Sequence, residues 1–335
     1  MARMLRGAGS ILLTLLLLVL LTFVVTRLLP ADPVVAVVGE TADPAVYARV
    51  RSELGLDRPL PIQIVRYLRG FASGTLGVST LTGNPVEADL LAVFPATLEL
   101  ATVALLLSVA IGLPLGVVAA VRRGSWIDRA VRLGGLIGFS TPIFWVGLMG
   151  ISLLYGRLGL LPGPGRVDPA MIAQVPERTG FAALDGLIAG DPAFALSALS
   201  HLVMPALTLT LLGAAFISRM TRTFLLDQLG QEYVLTAQAK GIEGWRLVLR
   251  HPFRNILVQL ATVIALGYAG LLEGSVLVEV VFAWPGLGLY LANAVLSGDV
   301  NAVVGGVLLI GLVFILLNQA ADRIGERLDP RLRTR

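Results

Sequence analysis

The sequence predicts an all-α membrane protein: a polytopic bundle of six transmembrane helices, with both termini cytoplasmic and an external helical insertion after the first helix. The chain is 56% hydrophobic and 14% charged, and its mean hydropathy is +0.83. A helix needs about 20 apolar residues to cross a bilayer core. Six runs are that long, and they occupy residues 9–29, 96–121, 133–155, 200–218, 257–281 and 302–320.

The distribution of basic residues predicts the orientation. With the N-terminus in the cytoplasm, the cytoplasmic segments hold 17 of the 26 basic residues but only 7 of the 22 acidic ones. Cytoplasmic loops of membrane proteins are enriched in arginine and lysine. Both termini are therefore expected to lie inside.

The first two segments are a membrane helix and an external insertion. Residues 1–29 are read as a retained first transmembrane helix, because the apolar run exceeds a signal-peptide core and no small-residue cleavage site follows. Residues 30–95 form the external, periplasmic segment. Asp43-Pro44 starts and Gly55 stops a helix over 44–54, and a second amphipathic helix has Ile62, Val65 and Leu68 on one face. This segment either caps the membrane domain or docks an extracytoplasmic partner.

Residues 96–320 form a five-helix core domain, followed by a cytoplasmic tail at 321–335. The second helix, beginning at Pro95, contains Gly112 and Gly116, which permit a kink or a close approach by a neighbour. The third contains Ser140-Thr141-Pro142, where a helix can bend. Residues 156–199 are external, and aspartates within their apolar stretch predict an interfacial hairpin instead of a span.

Motifs for catalysis are missing from the sequence. Cysteine is absent, so neither a disulfide nor a thiolate nucleophile is available. Lys240, the single lysine, is followed by Gly-Ile, unlike the lysine of a phosphate-binding loop. His201 and His251 lie at opposite membrane faces in this topology, so no metal site is expected. The positive charge follows the membrane topology and gives no reason to expect nucleic-acid binding.

The polar loop at 219–256 has a helix–glycine–helix pattern. Thr221–Lys240 are good helix formers, Gly241 allows a chain reversal or a close backbone approach, and Ile242–Leu249 form a short amphipathic helix containing Trp245. Such a helix either anchors at the membrane surface or fills a groove on a soluble protein.

Within this loop, residues 232–241 read E-Y-x-x-T-A-x-A-K-G. The string resembles the cytoplasmic coupling loop of bacterial ABC importer permeases of the dipeptide, oligopeptide and nickel family. Ala237 and Gly241 match the general E-A-A-x-x-x-G motif, whereas Leu235 replaces its glutamate, as is typical of this family. Further similar stretches lie at 54–63, 95–101, 201–209, 250–255, 281–288 and 328–331.

The resemblance implies a non-enzymatic transport subunit of the bacterial cytoplasmic membrane, in contact with lipid. Its partners would be a second homologous permease, two cytoplasmic ATPase subunits that hold ATP and Mg, and an extracytoplasmic substrate-binding protein. This chain itself would hold no cofactor. The residues expected to couple it to the ATPases are Glu232, Tyr233, Thr236, Ala237, Ala239, Lys240, Gly241, Ile242, Trp245 and Arg246.

The cargo implied by the resemblance is a dipeptide or oligopeptide, with nickel, glutathione or another small solute as alternatives. Carboxylates inside a membrane are functional candidates, so Glu273, Glu279 and, with them, Asn318 are candidate residues of the substrate pathway. A different class, an ion-coupled secondary transporter, would be favoured by inverted repeats and several charges at helix centres. The sequence shows neither.

Overall fold

The computed structural model describes residues 2–28, 32–39, 41–53 and 55–328. Over these residues the chain forms fourteen α-helices. The predicted tail at 321–335 is described only to residue 328, so most of the 328–331 stretch lies outside the described residues. The helices are α1 Ala2–Leu28, α2 Pro33–Val38, α3 Pro44–Glu53, α4 Leu60–Ala72, α5 Val86–Val121, α6 Trp126–Ser140, α7 Ile143–Gly150, α8 Ala182–Ala189, α9 Pro192–Leu229, α10 Glu232–Ala239, α11 Gly244–Arg250, α12 Pro252–Val281, α13 Leu287–Leu296 and α14 Val300–Leu328.

The all-α prediction is confirmed, and most predicted spans coincide with long helices. Of the described helices, α5, α9, α12 and α14 are long and apolar enough to cross a membrane. The third predicted span is α6 and α7 with the π-helical turn Ile151–Arg157, which count as one further span if taken together. The first lies in α1, whose described apolar part is Leu13–Thr26. The total of six stays a prediction.

The predicted bend in the third span is present. The axes of α6 and of the Ile143–Arg157 helix differ by 96°. A residue before proline avoids helical backbone angles, and Thr141, before Pro142, has ψ 127°. The Thr141 hydroxyl donates to the Ile137 carbonyl at 2.7 Å, so this carbonyl in the last turn of α6 has a hydrogen-bond donor although the helix ends there.

The described residues divide into two compact units, and the larger comprises residues 96–284 and 316–328. Its core lies around Leu100 of α5, Leu209 of α9 and Val278 of α12. Small residues bring α5 and α9 close together. A Cβ at Gly112 would lie 2.7 Å from the Ala214 carbonyl oxygen, and Gly116 is equally restricted. Close packing through glycine is typical of membrane helices and confirms the predicted close approach.

The predicted start of the second span at Pro95 is wrong as a helix boundary, because α5 begins at Val86. Glu87 and Asp89 lie in its first turn, where negative charge stabilises the positive end of the helix dipole. Proline is tolerated within membrane helices when other contacts compensate for the lost hydrogen bond. Pro95 therefore lies inside α5.

The smaller unit comprises Met1–Pro95 and Pro285–Ile315. The predicted helix at 44–54 is present as α3, and Asp43 Oδ1 accepts a hydrogen bond from Ala45 N–H at 2.7 Å. Gly55 follows with φ +69°. The predicted stop at glycine is thus confirmed, while Leu54 lies outside the described residues.

The predicted inner face of α4 is wrong in part. Ile62 and Val65 are each 48% exposed, whereas Leu68 packs together with Ile64 and Tyr67 on a cluster that contains Val19, Phe23 and α14 residues. The Tyr67 and Phe23 rings are 5.5 Å apart. Both residue sets fit helical spacing, so the aromatic partner on α1 determines which face is buried.

Candidate functional site

The predicted coupling loop folds as two short helices joined by a tight reversal. The Gly241 N–H donates to Gln238 O at 2.8 Å, and the Ile242 N–H donates to Ala237 O at 3.2 Å. This pair of bonds is the Schellman pattern that ends a helix at a left-handed residue. Gly241 has φ +81° and a Cβ there would meet nothing within 4 Å. Within this chain the glycine is therefore required by backbone conformation and not by crowding.

A small core holds α11 against α10. Val234, Ala237 and Leu247 are buried together, and Ile242 packs against them. The neighbouring Val248 is buried in a second cluster, which includes residues of α5, α9 and α12. Adjacent side chains of α11 thus contact α10 on one side and the ends of three long helices on the other. A displacement of α11 would therefore disturb its contacts with α10 and with the ends of α5, α9 and α12.

Most predicted coupling residues lie on the surface. Tyr233 is 36% and Trp245 is 46% exposed, while Ala237 is buried and Ile242 is half-buried. The other six predicted residues are all exposed, and they are Glu232, Thr236, Ala239, Lys240, Gly241 and Arg246. Leu235 and Leu249 add exposed apolar surface. Exposed apolar side chains on short helices fit either a groove on a soluble protein or the membrane interface.

A buried ion pair near this loop was not found by sequence reasoning. The Arg222 guanidinium on α9 donates to both Asp128 carboxylate oxygens, at 2.6 and 3.0 Å. Asp128, in the first turn of α6, is 1% exposed and also accepts from Gly124 N–H at 3.0 Å. Two-point contact between guanidinium and carboxylate fixes orientation as well as distance. The partners are 94 residues apart in sequence, so no local pattern reveals the pair.

A second buried pair joins α5 to the segment between α7 and α8. Arg166 Nη2 is 2.6 Å from Glu99 Oε2, and the two side chains are 11% and 6% exposed. Glu99 also accepts weakly from the backbone N–H groups of Ala182 and Ala183 at the start of α8. The Arg166 guanidinium lies 5.6 Å from the centre of the Trp284 ring. These contacts hold the segment between α7 and α9 onto α5.

The three predicted substrate-pathway residues lie in different environments. Glu273 is exposed and Asn318 is half-buried. Glu279 is completely buried, and its Oε1 accepts from Thr97 Oγ1 at 2.8 Å and Ser275 Oγ at 3.0 Å. In this structure Glu279 connects α12 to α5. An exposed carboxylate is the better candidate for a solute contact, so Glu273 remains the principal prediction.

The segment before α9 contains a carboxylate whose pKa predicts a pH response. Burial raises the pKa of Asp185, but hydrogen bonds from Thr179 Oγ1, Thr179 N–H and Gly180 N–H outweigh burial and hold that pKa below 3.8. A lowered folded-state pKa contributes stability above the unfolded-state pKa, and that contribution is lost as the pH falls through the folded-state value. We expect hydrogen exchange at Thr179 and Gly180, corrected for intrinsic rates, to accelerate at acid pH.

The Asp185→Asn variant is the control, because it has no carboxylate to titrate. Its corrected exchange rates at Thr179 and Gly180 should be nearly constant with pH. Equal pH profiles for the variant and the wild type would contradict the role given to Asp185.

Comparisons with known proteins identify the family. Residues 112–334 match the model of the binding-protein-dependent transport system inner membrane component, and residues 1–101 match the N-terminal model of such membrane components. The chain belongs to this family. It is therefore a multi-pass inner membrane component of a binding-protein-dependent transport system, and its predicted membership is confirmed.

Relatives within the family are similar over nearly their whole length. The probable D,D-dipeptide transport system permease protein DdpB of Escherichia coli K12 is 41% identical, with 93% of this chain and 92% of that protein covered. The di/tripeptide transport system permease protein DppB of Pseudomonas aeruginosa is 40% identical, with 98% and 97% covered. The MetNI methionine ABC transporter, solved in inward-facing conformations, has a TM-score of 0.53 at 21% identity, with 70% of this chain and 93% of that chain covered. That structural similarity supports the same helical fold for this chain.

Proposed function

We propose that this family member is the permease subunit of an ATP-driven importer for peptides. Peptide permeases at 39–41% identity over more than 90% of both chains carry the proposal. The importer would contain a second homologous permease, two cytoplasmic ATPase subunits and an extracytoplasmic substrate-binding protein. ATP and Mg would bind to the ATPase subunits, and this chain would translocate cargo by alternating between inward- and outward-facing states.

The α10–α11 pair supports a route for coupling. An ATPase groove that holds α11 by its exposed Trp245 would move the helix as a rigid element, in the helix-in-groove mode. Because Leu247 packs on α10 and Val248 packs among α5, α9 and α12, that movement would reach the long helices directly. The interfacial-anchor alternative would use the same exposed apolar side chains without a protein partner.

Purification and uptake test the proposal together. The tagged chain, expressed with its chromosomal neighbours and purified in mild detergent, should retain a second permease and two ATPases. Proteoliposomes of that complex with the binding protein should accumulate a labelled dipeptide only with ATP. Preferential uptake of glutathione or a nickel chelate would replace peptide as the cargo. Transport by the lone chain, driven by an ion gradient, would favour the secondary-transporter class.

Glu273 gives a prediction about cargo contact. A carboxylate exposed on a membrane helix can bind the peptide ammonium group, so Glu273→Gln should raise the KM for dipeptide uptake by about tenfold, the equivalent of about 1.4 kcal/mol. Glu177→Gln removes an exposed carboxylate in the segment between α7 and α9 and should leave KM unchanged. An unaltered KM in Glu273→Gln would remove this residue from the pathway.

A further inference from the structure

A basic cavity of about 340 Å³ lies between α6 and α9. Its apolar wall includes Leu136 and Phe139 of α6, and three arginines line it: Arg132 from α6 and Arg219 and Arg222 from α9. Leu136 and Phe139 are 63% and 54% exposed, so the apolar wall is open along its length. The cavity thus joins a positively charged end to an apolar surface.

The described residues do not balance the positive charges in this cavity. Arg222 binds Asp128 through two hydrogen bonds, and Arg132 Nε is 3.6 Å from the same carboxylate. Arg219 has no carboxylate within ion-pairing distance among the described residues. Its guanidinium lies 5.1 Å from the centre of the Phe139 ring. Three guanidinium groups therefore face one carboxylate, which leaves an excess of positive charge for an anion.

The position of the cavity indicates what kind of anion would bind. The basic residues assign this end of α6 and α9 to the cytoplasmic face, where the inner leaflet presents anionic headgroups. A free anion would satisfy the guanidinium groups but would leave the wall of Leu136 and Phe139 without a partner. A phospholipid provides a phosphate for the arginines and an acyl chain for that wall.

We propose that this cavity binds one anionic phospholipid of the cytoplasmic leaflet. Its phosphate contacts Arg219 and Arg132, and its acyl chain lies along Leu136 and Phe139. Arg222 remains on Asp128 and supports the site by its charge. The lipid therefore bridges α6 and α9 beside the ion pair that already joins them. This binding depends on neither the cargo nor the ATPase partners proposed above.

Lipid retention by the purified protein tests the site. The tagged chain, with the subunits that co-purify, is reconstituted in equal amounts of phosphatidylglycerol and phosphatidylcholine, re-extracted and analysed for bound lipid by mass spectrometry. The wild type should retain phosphatidylglycerol preferentially. R132Q/R219Q should retain about tenfold less, since each arginine near an anionic surface contributes to binding. R219Q alone keeps both ion pairs of Asp128 and should show a smaller loss, which separates lipid binding from folding.

Matched charge controls decide whether the cavity itself matters. R123Q/R129Q removes two exposed arginines from the same predicted cytoplasmic face. Neither residue lines the cavity. Its phosphatidylglycerol retention should equal that of the wild type. Equal losses in the two double variants would reduce the effect to general surface attraction and overturn the proposal. So would a wild type that retains phosphatidylcholine equally well.

Two further measurements separate a lipid from other occupants. A photo-crosslinking residue at Leu136 should label phospholipid, and crosslinks to another subunit would show instead that protein covers the cavity. Glycerophosphoglycerol, which has the headgroup chemistry without acyl chains, should fail to displace the bound lipid. Displacement at comparable concentrations would assign the site to a free phosphate compound and overturn the lipid proposal.

Discussion

Gly241→Val should reduce ATP-driven uptake by about tenfold while the chain still inserts and assembles. Gly241 has φ +81°, and a side chain in the left-handed region costs roughly 1–2 kcal/mol. A cost of 1.4 kcal/mol lowers the population of a conformation about tenfold. Because the reversal sets how α11 lies on α10, the variant should hydrolyse ATP without matching uptake. Paired uptake and ATPase measurements in proteoliposomes will show this.

The control for Gly241→Val is Gly190→Val. Gly190 ends α8 with φ +73°, and a Cβ there also meets nothing within 4 Å, so the conformational strain is similar while the coupling loop is unchanged. This control should keep the wild-type ratio of uptake to hydrolysis. Normal coupled uptake by Gly241→Val would contradict the coupling role of the loop.

Arg166→Met should destabilise the larger unit by about 3 kcal/mol, because it leaves the buried Glu99 carboxylate without its charged partner. Glu99 is 6% exposed, and the backbone N–H groups of Ala182 and Ala183 lie at 3.4 and 3.3 Å from its oxygens. Those long bonds cannot replace a guanidinium. Thermal unfolding in detergent, followed by the intrinsic tryptophan fluorescence to which Trp284 contributes, should show a midpoint lower by several degrees.

The double variant Glu99→Gln/Arg166→Met tests the cause of that loss. A neutral amide can still accept from the α8 backbone and leaves no unpaired charge, so the double variant should be more stable than Arg166→Met alone. If the single and double variants unfold together, the loss comes from the other contacts of Arg166, with the Trp284 ring and the Gly180 carbonyl oxygen, and not from an unpaired carboxylate.

Local patterns in the sequence were sufficient to predict the main helices and their breaks. Long apolar runs predicted the membrane helices because a bilayer imposes a minimum apolar length. The proline at 142 marked the bend between α6 and α7, and glycines marked the ends of α3 and α10. Each of these signals acts through the backbone of the residue itself or of its immediate neighbour, and so it can be read without a fold.

Contacts between distant segments could not be read in this way. The buried face of α4 was predicted in part wrongly, since Ile62 and Val65 fit helical spacing as well as Ile64 and Tyr67 do. The pairs Asp128–Arg222 and Glu99–Arg166 are 94 and 67 residues apart in sequence. The hydrogen bond of Glu279 to Thr97, which connects α12 to α5, likewise joins segments far apart in sequence. The pathway role of Glu279 stays a prediction.

The sequence by itself determined that this chain is an all-helical membrane protein with a helix–glycine–helix loop, and its motifs already resembled the family to which it belongs. Tertiary structure alone decided which charged groups are paired in the interior, which side chains of α11 contact the long helices, and where unbalanced arginines line a cavity. The reason is physical. Helix length and chain reversal depend on neighbouring residues, whereas the stability of a charge depends on every group that the fold brings within a few ångströms of it.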